Sequence, residues 1–98
     1  PCLIVGAGGI YTEVVADFAF RLAPIGADEA AAMIDDIDFA KILHGVRGED
    51  PCHLPSIVDA LLRVSQLVVT HPAIREIDIN PIIVDAAGAL VVDARIIL

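Results

Sequence analysis

Asp78, Asn80 and Asp93 lie within residues 76–95 of this 98-residue sequence, in a stretch rich in strand-forming residues. Asp78 and Asn80 stand at alternate positions, and Asp93 follows a second apolar run. Carboxylate and amide oxygens are ligands that Mg²⁺ accepts, and Mg²⁺ completes its shell with water and nucleotide phosphates. Binding of a magnesium nucleotide is therefore the first chemistry to consider.

The spacing of these residues predicts a β-hairpin that brings their oxygen atoms together. The turn segment "DAAG" separates two apolar runs, which is typical of a hairpin connection. If the turn is centred on residues 86–87, Asn80 lies opposite Asp93, with Cβ atoms about 4.5–5.5 Å apart. A bulge at Gly88 is the competing register, and it puts the two side chains on opposite faces.

Strand alternation adds two charged side chains to the same face. Asp78 precedes Asn80 by two residues, and Arg95 follows Asp93 by two residues. Pro81 removes one backbone donor, which predicts an edge position or a bulge beside Asn80. From spacing alone, a magnesium site and the solvated outer face of an ordinary hairpin are both open interpretations.

The elements that must position this hairpin predict an α+β fold, in which two helices pack on a mixed or antiparallel sheet. Residues 2–5 predict a short buried strand. Residues 10–15 and 18–22 predict a hairpin around a tight turn. Its second strand would carry three large apolar side chains on one face. They are Phe18, Phe20 and Leu22.

Two helical segments follow. The segment "GADEAAAMIDDI" has acids in its first turn, where the helix dipole favours them, and one apolar stripe. That stripe consists of Ala30, Met33, Ile34 and Ile37. The second helix should run from about residue 55 to residue 70, because apolar residues recur at three and four positions, and His71 and Pro72 should end it. The connection between the helices predicts one short turn of structure.

Composition excludes several classes of partner. Fourteen acidic residues against six basic ones give a net charge of -8, which disfavours nucleic acid. No apolar run reaches the ~18 residues of a membrane span, so we expect no membrane partner. Cys2 and Cys52 are expected to be buried thiols in a reducing cytoplasm. A strand-forming run directly after Pro1 predicts that the chain is a fragment or subdomain.

Four segments resemble the closing half of the ATP-grasp region of ADP-forming acyl-CoA (acetyl-CoA) synthetases. They are "GAGGIYTEVVADFAFRLAPI", "ILHGVRGEDP", "DALLRVSQLV" and "EIDINPIIVDAAGALVVDARI", and they span nearly the whole chain. The β subunit of succinyl-CoA synthetase is similar in a more distant way. The resemblance implies the reaction acid + CoA + ATP ⇌ acyl-CoA + ADP + phosphate, by way of a phosphohistidine, with Mg²⁺ and ATP or ADP as cofactors.

The resemblance also implies roles for individual residues. Asn80 and Asp93 match magnesium ligands that hold the ATP phosphates, and Asp78 matches an acid that faces the phosphohistidine. Arg47 matches a family motif, for which a phosphate contact, a contact with a neighbouring domain and a loop salt bridge are all open. The cofactor-binding residues predicted in addition are Gly8, Gly9, Glu13 and Arg95.

The partners that the resemblance implies are absent from this sequence. They are the first half of the ATP-grasp domain and the CoA-binding and ligase domains, or a separate α subunit, that carry the relay histidine. We therefore expect no turnover from this chain alone. Two alternatives are a synthetase-like regulatory region of a protein lysine acetyltransferase and a small interaction module without nucleotide chemistry.

Overall fold

The computed structural model describes residues 1–7, 17–45 and 51–98. Strands and helices follow one another within these ranges in the order β-β-α-α-α-β-β-β-β. The elements are β1 Cys2–Gly6, β2 Phe18–Leu22, α1 Ala27–Asp36, α2 Ala40–Leu43, α3 Leu54–Thr70, β3 Glu76–Ile79, β4 Ile82–Val84, β5 Ala89–Val91 and β6 Ala94–Ile97. The predicted α+β class is confirmed, and every strand pair that the structure describes is antiparallel.

Strands β1 and β2 pair directly with each other, with Ile4 opposite Phe20. The predicted strand at 10–15, and with it the predicted hairpin, lies outside the described residues. The large apolar side chains of β2 share one face as predicted, but this face is exposed, and Phe20 is 59% accessible. The opposite face carries the buried Leu3 and Ala19, which pack towards α1. The small side chain of Ala19 lets the helix approach the strands closely.

Helix α1 forms where its apolar stripe predicts it. Asp28 and Glu29 occupy its first turn, where the positive end of the helix dipole favours carboxylates. All four residues of the predicted stripe are buried, with Met33 fully inaccessible, and the stripe contacts α3 and β2. The core of the protein therefore lies between the β1–β2 ribbon, α1 and α3. The short α2 is the predicted turn in the connection.

Helix α3 begins at Leu54 and ends at Thr70, close to the predicted limits. Pro55 is accommodated in the first turn, where a helical N–H lacks an intrahelical partner. The backbone N–H of His71 donates to the carbonyl of Leu67 at 3.0 Å and closes the last turn. No helix in the described ranges is long and apolar enough to cross a membrane.

Polar side chains join these elements at their ends. The carboxylate of Asp17 accepts hydrogen bonds from the backbone N–H groups of Asp38 and Phe39, at 2.7 and 3.0 Å, at the start of α2. Arg21 in β2 pairs with Asp36 at the end of α1. These bonds tie the β1–β2 ribbon to both helices that follow it.

The two cysteines differ in exposure. Both are free thiols, Cys52 is partly buried and Cys2 is exposed. The prediction of a buried thiol is wrong for Cys2, because β1 places this residue opposite the exposed Leu22.

Ser65 is a polar residue inside the core, at 2% exposure, and its hydroxyl oxygen accepts a hydrogen bond from the backbone N–H of Ile25 at 3.0 Å. We predict that Ser65→Ala lowers the free energy of unfolding by about 1–3 kcal/mol, because the buried N–H loses its acceptor. Urea denaturation measures this change. Gln66→Ala, on the exposed side of α3, should shift the same free energy by less than about 0.5 kcal/mol. Equal shifts for both variants would contradict the role of Ser65.

Candidate functional site

The C-terminal hairpin has the register that the turn predicts. In the β3–β6 ladder Asp78 lies opposite Arg95. Beyond it, the backbone N–H of Asn80 donates to the carbonyl of Asp93 at 3.0 Å. The β4–β5 ladder keeps the same pairing up to the turn. The bulged alternative is therefore wrong, and Asn80 and Asp93 lie opposite each other.

The turn between β4 and β5 holds this register by its own hydrogen bonds. The Asp85 N–H donates to the Gly88 carbonyl at 2.9 Å. The Asp85 carboxylate accepts from the N–H groups of Ala87 and Gly88, at 2.8 and 3.1 Å. Gly88 has a φ of 159°, a conformation that residues with a side chain rarely adopt. The aspartate and the glycine thus close a tight turn without an extra residue.

The strand alternation restarts in the middle of the hairpin. Asn80 donates to Asp93, and the next pair, Val92 to Pro81, is also hydrogen-bonded, at 3.0 Å. In a regular antiparallel ladder such pairs alternate with non-hydrogen-bonded ones. Two consecutive bonded pairs therefore stand beside Asn80, where β3 gives way to β4 and β5 to β6. Of the two predictions made from Pro81, the bulge is wrong, since the register is constant, and the edge position is found, since each described sheet has two strands.

This restart determines which side chains of the hairpin face α3 and which face solvent. Ile79 and Ile82, three residues apart, both line the space next to α3 and are partly buried. Asp78 and Asn80 are exposed. The hairpin tip is anchored separately, since the N–H of His53 donates to the carbonyl of Asp85 at 2.7 Å. Ile79 and Ile82 thus face α3, while Asp78 and Asn80 stay accessible to solvent.

The polar face carries both signs of charge. One carboxylate oxygen of Asp93 accepts the N–H of Ala94 at 2.9 Å, which orients the group and leaves its second oxygen for a ligand. The Nη2 atom of Arg95 lies 3.7 Å from Oε1 of Glu76. None of the ion pairs in the described part of the chain involves Asp78 or Asp93.

The donor set of this face fits a hard divalent cation. An amide oxygen from Asn80 and a carboxylate from Asp93 lie on neighbouring strands, and Mg²⁺ bound with a nucleotide commonly uses one or two protein oxygens. Among residues 1–7, 17–45 and 51–98, no group of three or more His, Cys, Asp or Glu side chains could hold a metal. Asn80 and Asp93 could thus offer a cation at most two side-chain ligands, and water and phosphate oxygens would have to supply the rest.

Part of this face borders a large cleft. The cleft has a volume of about 1470 Å³, lies between β1 and β3, and has an α3 wall. Asp78 and Asn80 both line it. Its apolar lining includes Val5, Ile57 and Leu61, so the cleft combines apolar side chains with the oxygen atoms of Asp78 and Asn80.

Four of the predicted site residues come together, and four others cannot be placed. Asp78, Asn80, Asp93 and Arg95 share the hairpin face. The remaining positions, Gly8, Gly9, Glu13 and Arg47, lie outside the described residues, so their roles stay predictions. Sequence reasoning missed Glu76, although its alternation with Asp78 and Asn80 was a signal that it joins the same face.

Comparison with known proteins relates the whole chain to one family. Residues 1–98 match the family model described as the ATP-grasp domain. Acetate–CoA ligase (ADP-forming) I of Archaeoglobus fulgidus is 45% identical over 98 residues, which are 100% of this chain and 14% of that protein. The β subunit of acetate–CoA ligase (ADP-forming) I of Pyrococcus furiosus is 43% identical over 98 residues, which are 100% of this chain and 42% of that subunit. The chain thus spans less than half the length of these curated relatives.

A solved structure has the same fold. It is the dinucleotide forming acetyl-coenzyme A synthetase 1 of Ca. Korarchaeum cryptofilum, with a TM-score of 0.94 and 41% identity, over 100% of this chain and 46% of that one. That synthetase was solved in complex with coenzyme A and Mg-AMPPCP, with its phosphohistidine segment pointing towards the nucleotide binding site.

We predict close backbone approach at the pairs Ile79–Ala94 and Ile82–Val91, because both are non-hydrogen-bonded pairs, with Cα atoms about 4.5 Å apart. Strong NOEs between the Hα atoms of each pair should appear in NMR spectra of the protein. A regular ladder repeats such contacts every second residue. A strong NOE from the Hα of Ile83 to the opposite strand, with none from Ile82, would contradict the restart of the alternation.

Proposed function

The chain belongs to the ATP-grasp domain family, and from that premise we propose that it is the nucleotide- and magnesium-binding part of an ADP-forming acyl-CoA synthetase. The reaction is acid + CoA + ATP ⇌ acyl-CoA + ADP + phosphate. Relatives named acetate–CoA ligase (ADP-forming) support this proposal. The reaction is assigned to the intact synthetase, and this chain supplies part of its nucleotide site.

The observation that carries the proposal is the pairing of Asn80 with Asp93 on the exposed face of the hairpin. Their backbones are joined by a 3.0 Å hydrogen bond, so their side chains start from directly opposed positions. An amide and a carboxylate that project from opposed positions of a hairpin suit one Mg²⁺ ion. The similarity to a synthetase solved with Mg-AMPPCP supports the same assignment.

Each residue of the face has a distinct task in this proposal. Asn80 and the free carboxylate oxygen of Asp93 hold the cation that accompanies the nucleotide phosphates. When bound, Mg²⁺ neutralises charge on the phosphate oxygens and fixes the line of phosphoryl transfer. Asp78 accepts a hydrogen bond from one imidazole nitrogen of the relay histidine and thereby aims the other nitrogen at the phosphoryl group. Arg95 contributes positive charge to the face at which the phosphates bind.

The acidic composition is compatible with a nucleotide site of this kind. A net charge of -8 repels free polyphosphate. Carboxylates tolerate nearby phosphate when a dication lies between them, because each negative group then contacts positive charge. The chain should accordingly bind ADP or ATP as a magnesium complex, much more weakly without the metal.

The rest of the synthetase completes the site in this proposal. Residues 1–98 form the C-terminal portion of the ATP-grasp domain, and the first half of that domain supplies the adenine contacts. CoA-binding and ligase domains, or an α subunit, carry the relay histidine. The chain's coverage of 42% of a relative that is itself a β subunit supports such a division. The proposal includes the cytoplasmic location expected from the two widely spaced cysteines.

We predict that Asp93→Asn weakens Mn²⁺ binding in the presence of ADP by about tenfold or more, because the cation loses its charged ligand. Paramagnetic broadening in NMR spectra should be confined to residues near 80 and 93, and should be lost in Asn80→Ala. Asp28→Asn, which removes the same charge from the exposed first turn of α1, is the matched control. Broadening that is unchanged in both hairpin variants would contradict the assignment, because other residues would then hold the ion. Absence of magnesium and ATP affinity in the complete ATP-grasp domain would favour an interaction module without nucleotide chemistry.

We predict a different result for Asp78→Asn in the full-length synthetase. Phosphoryl transfer should fall by about 10²-fold, because the relay histidine loses the group that orients it. Mn²⁺ affinity should stay within about twofold of the wild-type value, since Asp78 is not proposed as a metal ligand. Steady-state ligase assays and Mn²⁺ titration measure the two properties. If Asp78→Asn lowered phosphoryl transfer and Mn²⁺ affinity to the same extent, Asp78 would act as a metal ligand, which contradicts its proposed role.

A further inference from the structure

The guanidinium of Arg95 makes a diagonal contact across the hairpin. Arg95 lies directly opposite Asp78 in the ladder, yet its Nη2 atom lies 3.7 Å from Oε1 of Glu76. Glu76 is opposite Ile97, one step nearer to the open end of the hairpin. The contact therefore draws the arginine away from Asn80, which is the diagonal neighbour on its other side.

Arg95 has two neighbouring carboxylates on the opposite strand, those of Glu76 and Asp78, with either of which a guanidinium could pair. An arginine opposite an aspartate can form a bidentate pair that uses both carboxylate oxygens. Such a pair with Asp78 would use one lone pair on each carboxylate oxygen and fix the orientation of the group, which would make it a poorer acceptor for the N–H of a histidine. Both members of the Arg95–Glu76 pair are well exposed, at 66% and 56% of the side chain, so the arginine can exchange between acids at little cost.

We propose that Glu76 is a positioning residue that holds Arg95 away from Asp78 and so keeps the Asp78 carboxylate available. This inference rests on the proposed function, because it concerns the availability of Asp78 during phosphoryl transfer. Glu76 touches no substrate, and its effect passes through the guanidinium of Arg95. Without Glu76, the arginine turns to the carboxylate directly opposite.

The test compares Glu76→Gln with the wild type in the full-length synthetase. The value of kcat should fall by about twofold to fivefold, which is the effect of one exposed ion pair on an equilibrium, while KM for Mg-ATP stays unchanged. The difference should shrink as ionic strength rises, because salt screens exposed pairs. In an Arg95→Gln background, Glu76→Gln should have no further effect.

A matched control is available on α3, where Asp59 pairs with Arg63 at 2.8 Å and is 59% exposed. Asp59→Asn should leave kcat unchanged. If the wild type is active and Glu76→Gln has wild-type kcat, or still lowers kcat in the Arg95→Gln background, the role of Glu76 is refuted while the proposed function stands. If the unmodified synthetase has no ADP-forming ligase activity, the proposed function fails, and the role of Glu76 fails with it.

Discussion

Two consecutive hydrogen bonds, from Asn80 to Asp93 and from Val92 to Pro81, determine where the side chains of the hairpin lie. In an unbroken ladder, residues two apart share a face, and a slip of one residue moves every side chain to the other face. Here the pairing register stays constant while the alternation restarts. The apolar side chains on both sides of the break can therefore pack towards α3, and Asn80 stays exposed beside Asp78. The tight turn at Asp85 fixes the pairing register of the hairpin, because it has no bulge.

Electrostatics gives the same face its chemical character. Asp78, Asp93 and Glu76 bring three carboxylates together with one arginine, so the face is short of positive charge. Like charges on neighbouring strands destabilise a hairpin, and a bound dication relieves that repulsion. Binding of a cation to the folded hairpin also stabilises it by mass action. The surplus of acids, which disfavours nucleic acid as a partner, is thus compatible with the proposed binding of a magnesium nucleotide.

Sequence patterns predicted the elements whose information is local. Helices α1 and α3 follow from apolar residues at three and four positions. The hairpin itself was predicted from its turn, but its register was one of two that the sequence left open, and the hydrogen bonds around Asp85 decide between them. Two features were out of reach. β1 and β2 are separated by residues 7–17, so their pairing is not a local feature of the sequence. The apolar pattern of β2 also does not show whether Phe20 or Ala19 faces the helix. The restart at Asn80 was also hidden, because alternation and its interruption look alike in a run of isoleucines and valines. Glu76 was missed although it alternates with Asp78 and Asn80, because the sequence does not show that the side chain of Arg95 turns towards it.

The most direct measurement is a crystal structure of the full-length protein with Mg²⁺ and a non-hydrolysable ATP analogue. We predict that the side-chain oxygen of Asn80 and a carboxylate oxygen of Asp93 both bind the ion, at about 2.0–2.1 Å. Asp78 should be outside the coordination shell, with its carboxylate facing the terminal phosphate. A magnesium ion held by the nucleotide and other residues, with neither Asn80 nor Asp93 in its shell, would contradict the central claim.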